Sequence, residues 1–317
     1  MLRQLGRFLG GRVLALCAAA LVLANVATPT YSIIVVDTDT GEVCVAVVSC
    51  HPGGFDLKHS IPVVVAGKGA GVIQSYSDKD GTMRQVIRQA LETGVDPQLV
   101  LDGFLGNGGI EVDYRQIGLV DMIHSPVAFT GPYVKAAASH ITGTYGSLRY
   151  AIQGNVLAGN LVVTRAEVAL RTSKGDLGQR ALFVLDSMRG LGGDGRCSCD
   201  VTAPTSCGVP PPNMVKSGHT GFMILTRPGD TDGPCSKPTG CANGSYYLDL
   251  EYTGDIGDPD PVGVLGAYYA GWRASKAGRP DHFESTTSVD VQSLVADGRS
   301  AARITLRLAD IDGNPIQ

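Results

Sequence analysis

The chain has 317 residues, a formal net charge of −4 and only 18% charged residues, with 42 glycines and 17 prolines. That length buries a sizeable core without metals or bridges to complete it. The sparse charge and the lack of any basic stripe exclude nucleic acid as a partner, and point to small-molecule, peptide or glycopeptide ligands. Glycine at about twice the usual share of ~7% implies many tight turns rather than disorder.

Residues 1–27 have the layout of an export signal, with Arg3, Arg7 and Arg12 ahead of an apolar run from Val13 to Ala27. The run is shorter than the ~20 residues that a membrane-spanning helix needs. Ala24 and Ala27 offer small-residue cleavage points, and Leu16 ahead of Cys17 does not fit a lipid-anchor signal. The expected address is secreted, periplasmic or cell-surface; a retained membrane anchor is the alternative.

Thr30 to Val36 and Val43 to Ser49 alternate or run apolar on either side of Asp37-Thr-Asp-Thr-Gly41, which predicts a β-hairpin. Ile61 to Ala66 and Gly71 to Gln74 predict a second strand pair. The period then changes: Met83, Val86, Ile87, Ala90 and Leu91 recur at helical spacing and stop at Gly94, and Asp96-Pro97 opens a short helix through Leu105. Gln116 to Val120, Val127 to Thr130 and Tyr150 to Gln153 return to strand character. Leu177, Ala181, Val184, Leu185 and Met188 mark a further amphipathic helix from about Asp176 to Gly190, and Phe222 to Thr226 and Tyr246 to Tyr252 close the series as strands. Strands, then helices, then strands again predict a layered α+β fold.

Eight cysteines become seven once the signal is removed, and an odd number leaves one thiol unpaired within the chain. Cys197, Cys199, Cys207, Cys235 and Cys241 fall in loop-like sequence, where disulfides that staple the loops are expected of an exported chain. Zinc is the alternative for that cluster, disfavoured because paired C-x-x-C knuckles are absent. Cys44 and Cys50 share one strand-like run, too far apart to bridge each other at ~3.3 Å per residue, so core packing is expected of both. His51, His59, His124, His140, His219 and His282 are scattered without metal spacing. No metal or cofactor is expected.

A collinear set of motifs carries a family resemblance. The set comprises Thr30-Tyr-Ser-Ile, Gly67-Lys-Gly-Ala-Gly-Val with Gln74, Arg115-Gln-x-Gly-x-Val-Asp121, Ala128-Phe-Thr-Gly131, Tyr150-Ala-Ile-Gln-Gly-Asn-Val-Leu-Ala-Gly159, Gly192-Gly-Asp-Gly-Arg196 and Asp258-Pro-Asp-Pro-Val262. Over roughly residues 30–275 the chain resembles the bacterial and archaeal domain-of-unknown-function family 1028, grouped with the Ntn-hydrolase superfamily. The resemblance implies a four-layer αββα sandwich and hydrolysis of an amide bond. In that superfamily the first residue of the mature chain supplies the nucleophile and its own amine serves as base. Carried onto this chain, the nucleophile is Thr30, with Asn155 or Gln153 offering an amide to an oxyanion, Lys68 or Arg115 favouring the deprotonated nucleophile, and Asp194 orienting the amine. Gln74, Arg115, Gln153 and Gly154 would contact substrate. The mechanism requires that the Pro29–Thr30 bond be cut.

A duller reading stands beside it. Thr30 is β-branched and suits the start of a strand, Ser32 lies on the same face as a weaker substitute nucleophile, and Gln153-Gly154-Asn155 suits a strand-ending turn. The fold would then serve as a non-catalytic surface binding or structural module. Cysteine-bearing loops after Arg196 form either a substrate rim or protection against proteases. Residues 286–317 resemble the opening strands of a bacterial Ig-like domain of the invasin and intimin type, with Ile304, Leu306 and Leu308 alternating as on a half-buried strand before an Asp-Gly-Asn turn. An ordinary terminal hairpin docked on the main domain is the alternative. Cell-surface association and oligomerisation stay open.

Overall fold

The computed structural model describes residues 30–316 apart from 54, 108 and 136. The expected export signal over residues 1–27, with its candidate cleavage points and Cys17, lies outside the described residues. In chain order the elements are β1 (Thr30–Asp37), β2 (Glu42–Ser49), α1 (Leu57–Ser60), β3 (Pro62–Val65), β4 (Gly69–Gln74), α2 (Thr82–Thr93), α3 (Pro97–Asn107) and a 3-10 helix (Gly109–Tyr114). There follow β5 (Gln116–Asp121), β6 (Val127–Thr130), β7 (Ser139–Tyr145), β8 (Leu148–Gly154), α4 (Leu161–Thr172), α5 (Leu177–Gly190) and α6 (Gly195–Ser198). The series ends with β9 (Thr220–Thr226), β10 (Leu248–Thr253), α7 (Pro261–Lys276), β11 (Thr286–Val289) and β12 (Ile304–Arg307). The fold is mixed α+β, with antiparallel sheets and seven α-helices among the described residues.

Local chemistry explains the boundaries. Gly41 closes the β1–β2 hairpin at φ +74, donating its N–H to Asp37 O at 2.8 Å, and a Cβ there would meet Pro228 Cγ at 2.7 Å. Only glycine takes that backbone without strain. Helix α2 stops where Gly94 turns left-handed and donates to Ala90 O. At the start of α5, Asp176 and Gln179 cap each other's backbone N–H groups reciprocally. Helix α7 begins with Asp260 accepting from Val262 N and proline at its first position.

Six strands pair in the order β10-β9-β2-β1-β8-β7 and four in the order β3-β4-β5-β6. On β1, Tyr31, Ile33 and Val35 turn one way and pack with Ala166 and Leu170 of α4, Val184, Leu185 and Met188 of α5, and Leu265 and Tyr269 of α7. Ile34 and Val36 turn the other way and pack with Val64, Ala70, Val72 and Val120 of the four-stranded sheet. The outward face of that second sheet, Val63, Ile73, Ile117 and Leu119, is covered by Ile87 and Leu91 of α2 and by Val100 and Leu101 of α3. Each fully buried Val, Leu or Ile side chain among these stabilises the fold by roughly 1.5–3 kcal/mol relative to exposure.

Several features differ from expectation. Strand β7 and helices α4 and α7 went unread, because β7 is a polar edge strand, α4 opens on β-branched residues and α7 carries three glycines. On β12, Ile304 and Leu306 are 70% and 60% exposed rather than half buried, since β12 pairs with β11 alone and β11 is itself exposed. The C-terminal piece docks through other groups. Asp281 accepts from Arg227 Nη1 at 2.6 Å and from Tyr247 Oη at 2.8 Å, its N–H donates to Ala309 O at 2.8 Å, and Arg273 of α7 pairs with Asp312.

Among the described residues three disulfides are present: Cys199–Cys207, Cys235–Cys241 and Cys50–Cys197. The first two staple local loops, as the sequence suggests. Cys50 corrects its expected role in core packing, because it lies one residue past β2, where Asp194 Oδ2 accepts its N–H at 3.0 Å and brings Cys197 alongside. Among the described residues Cys44 carries the unpaired thiol, packed on the helix-covered face of β2 with its ionisation pushed well up by burial. The disulfides fit an extracytoplasmic protein. No helix among the described residues is long and apolar enough to cross a membrane.

Candidate functional site

Period-two alternation on four strands builds the site. The residues facing the gap between the sheets are Thr30, Ser32, Ile34 and Val36 on β1 and Ala70, Val72 and Gln74 on β4. From β5 and β8 come Gln116, Gly118 and Val120, then Ala151 and Gln153. One end of the gap is therefore aliphatic, and the other, at the head of β1, is made of amides and hydroxyls. Thr30, Ser49, Gln74, Gln116 and Asn155 are 0% exposed, and Ser32 and Gln153 are 1% exposed.

Gln116 is the centre of the cluster. Its Oε1 accepts from Gln74 Nε2 at 2.9 Å and from Asn155 Nδ2 at 3.0 Å. Its Nε2 donates to Gly154 O and Thr130 Oγ1, both at 2.9 Å, and to Ser139 O at 3.2 Å. Ser32 Oγ donates to Gln74 Oε1 at 2.8 Å, while Thr30 O accepts from Asn155 N at 3.0 Å and Gln74 Nε2 at 3.3 Å. The network reaches solvent where Thr130 Oγ1 pairs with Nδ1 of the exposed His140 at 2.8 Å. Gln116 was legible within the Arg115-Gln-x-Gly motif but drew no role. The missed signal is a glutamine on the same strand face as Gly118 and Val120, where an apolar residue belongs.

Not every polar atom here is satisfied. Gln153 Oε1 and Nε2, Asn155 Oδ1 and Ser139 Oγ have no hydrogen-bond partner among the described residues. A Cβ on Gly118 would stand 3.0 Å from Gln153 Oε1, so the glycine keeps room for that amide. Leaving a buried donor or acceptor unpaired costs about 1–3 kcal/mol, which makes such groups uncommon. Backbone strain gathers at the same place. Ser75, Ala137 and Val156 are the described non-glycine residues at positive φ, at 73°, 53° and 53°. Ser75 follows Gln74, Val156 follows Asn155, and Ala137 O accepts from Leu157 N at 3.2 Å. Each such residue costs on the order of 1–3 kcal/mol.

The expected site residues divide. Thr30, Gln74, Gln153, Gly154 and Asn155 converge on the cluster. Asp194 lies on its flank: it bridges with Leu157, and its buried carboxylate accepts from Cys50 N at 3.0 Å and from Arg196 Nη2 at 3.0 Å. Burial raises the affinity of Asp194 for a proton despite the opposing pull of Arg196. Arg115 turns to the other face of β5, where it donates to Tyr76 O at 3.2 Å and to Glu111 at 3.2 Å. Lys68 is exposed, with Nζ donating to Glu92 O at 2.7 Å, and it precedes β4 at the end opposite Gln74. At ~3.3 Å per residue that strand separates the two by roughly 20 Å. Neither cation reaches Thr30, because residues at the two ends or on the two faces of one strand cannot meet.

The cluster offers neutral donors and acceptors and no ionised side chain. Such a lining suits a neutral amide or peptide group and can place N–H donors on a developing oxyanion. A groove of about 460 Å³ between α2 and α3, lined by Val86, Ala90, Val95, Leu99 and Phe104, lies beyond the four-stranded sheet and holds no titratable side chain.

Comparison with known proteins adds three findings. A family described as a family of unknown function (DUF1028) matches residues 30–203. The structure is similar to the crystal structure of protein SPO2555 from Silicibacter pomeroyi, itself assigned to DUF1028, at 18% identity and a TM-score of 0.53, over 77% of this chain and 89% of that one. No curated protein matches the sequence.

Proposed function

The chain belongs to the DUF1028 family of unknown function, and from that premise we propose that it is an exported amide hydrolase of the Ntn type with Thr30 as its latent nucleophile. The observation that carries this reading is the buried polar cluster at the head of β1, with unpaired amide atoms on Gln153 and Asn155 and strained backbone around it. Strain of this kind concentrates where a site needs fixed geometry. The succession of helix-covered sheet, sheet-to-sheet core and second helix-covered sheet supports a four-layer αββα sandwich.

Cutting the Pro29–Thr30 bond gives Thr30 a free α-amine, whose ordinary pKa of ~7.7–8.0 suits a base near neutral pH. The amine takes the proton from Oγ1, Oγ1 attacks the amide carbon, and the proton passes to the departing nitrogen. Gln153 Nε2 is the donor with capacity left for the oxyanion, while Gln74 and the Asn155 backbone hold the Thr30 carbonyl. Water then releases the ester. Small-molecule, peptide or glycopeptide amides fit the neutral lining. Residues 286–317 are the opening strands of a bacterial Ig-like domain in this reading, supported by the β11–β12 pair, and would hold the hydrolase at a cell surface.

A second reading, a binding or structural module without chemistry, is favoured by the complete burial of Thr30. Intact mass and N-terminal sequencing of the exported protein, with a β-lactone probe of N-terminal nucleophiles, separate the two. Hydrolysis requires a chain starting at Thr30 that takes up the probe and loses labelling in Thr30→Ala. An earlier start without labelling leaves the module.

A further inference from the structure

Three side chains from distant parts of the chain meet beside the polar cluster. Cys50 follows β2, Cys197 lies in α6 and His219 immediately precedes β9. One ligand atom from each lies within 4.8 Å of the others. Their positions do not depend on the disulfide alone. His219 N donates to Ser49 O at 2.8 Å, Cys50 N donates to Asp194 Oδ2 at 3.0 Å, and Cys197 N donates to Asp194 O at 3.1 Å. Hydrogen bonds from the three backbone N–H groups, one of them to the Asp194 carboxylate, thus hold all three residues around the end of β2.

His219 supplies an independent sign. It is 7% exposed, and its Nδ1 has no hydrogen-bond partner among the described residues. A buried imidazole nitrogen is usually paired, and in its neutral form it is a common metal ligand. Two sulfurs beside it make a donor set of the soft kind that selects zinc-class ions.

We propose that, once the Cys50–Cys197 disulfide is reduced, the two cysteine sulfurs and the His219 imidazole bind one zinc-class divalent cation. A dithiol reductant supplies the two electrons and two protons, becomes a disulfide itself and leaves two thiols. Metal binding then releases both thiol protons and forms two metal–thiolate bonds and one metal–imidazole bond. Zinc at about 2.3 Å from sulfur and 2.0–2.1 Å from nitrogen sets the three protein ligand atoms about 3.5–3.8 Å apart, so the freed sulfurs separate and the imidazole closes in by side-chain rotation. Water takes the fourth position, as in zinc sites with three protein ligands. The oxidised protein keeps both sulfurs in the S–S bond and does not bind. The site is separate from the Thr30 chemistry, and its failure would leave the hydrolase reading untouched.

Cobalt(II) is the probe, titrated into the full chain as isolated and after reduction with a phosphine that does not compete for metal. The expected result is one cobalt per folded reduced chain, with thiolate charge-transfer and tetrahedral visible bands, and none per oxidised chain. His219→Gln should weaken binding tenfold or more, and Cys50→Ser with Cys197→Ser should abolish it while leaving Cys199, Cys207, Cys235 and Cys241 to compete. The proposal is overturned by absent binding in the reduced chain, by loss of its far-ultraviolet circular dichroism on reduction in the presence of cobalt, or by a smaller effect of either variant.

Discussion

Asn155 Nδ2 donates to Gln116 Oε1 at 3.0 Å, joining the end of β8 in the six-stranded sheet to the start of β5 in the four-stranded one. Elsewhere the sheets meet through apolar side chains, Phe222 of β9 among them, that pack without direction. At this end they are registered by hydrogen bonds, which demand direction and distance.

Two neighbouring glutamines should therefore respond with opposite signs. Gln116→Leu orphans Asn155 Nδ2 in a buried place and takes a side-chain donor from the carbonyls of Gly154 and Ser139, which lie opposite each other in the β7–β8 ladder. A loss of roughly 1–3 kcal/mol is expected in urea unfolding, the cost of one orphaned buried group. Gln153→Leu removes two atoms that have no partner, and should be neutral or gain up to about 1 kcal/mol. A destabilised Gln153→Leu would show that its amide is satisfied in solution.

Ala137 holds φ +53, a left-handed conformation that costs an L-residue about 1–2 kcal/mol. Ala137→Gly removes that cost and offsets part of the gain through added chain entropy. The expected outcome is a rise in stability of roughly 0.5–1 kcal/mol by thermal unfolding. An unchanged or lower Tm would mean the strain is relieved by relaxation in solution.

The docking of the C-terminal piece should fail in acid. Burial pushes the Asp281 pKa up, but hydrogen bonds from Arg227 and Tyr247 outweigh it and leave the carboxyl below its ordinary value. A depressed folded pKa gives stability that is present above the unfolded value of ~3.9 and is lost as pH falls through the folded value. The Arg227 guanidinium also lies 3.6 Å from the Tyr247 ring centroid and 4.2 Å from that of Phe283, so the joint loosens as a unit. Proteolysis between the main domain and residues 286–317 should accelerate over that acid range, and Asp281→Asn should be cut readily at every pH.

The crosslinks should differ in weight. Cys50–Cys197 spans 147 residues, against 8 for Cys199–Cys207 and 6 for Cys235–Cys241. On chain entropy, replacing the first pair by serine costs about 5 kcal/mol and either local pair about 2–2.5 kcal/mol. Equal losses in denaturant titrations of the three double variants would show that strain or denatured-state structure dominates instead.

Much of the frame is local and so was legible. The β1–β2 hairpin needs only its alternation and Gly41, α2 needs its apolar stripe and Gly94, and α5 needs the Asp176 cap. Strand β7 and helix α7 were not, since Ser139-His-Ile-Thr-Gly-Thr-Tyr145 shows little apolar alternation and Gly263, Gly266 and Gly271 lower the propensity of a helix held by packing. The exposed faces of β11 and β12 carry the alternation of a half-buried strand, yet alternation states which residues share a face and not what covers it.

The sequence by itself determined the β1–β2 hairpin, helices α2 and α5, the family motifs and the presence of Thr30, Gln74, Gln153 and Asn155 as polar residues in or beside apolar strands. Tertiary structure alone decided which of them meet. It brought Gln116 and Asn155 together from 39 positions apart, turned Arg115 away, left Lys68 at the far end of β4 and joined Cys50 to Cys197. The physical reason is that periodicity is a property of one strand, whereas a site is made by pairing and stacking strands whose mutual register no single segment contains.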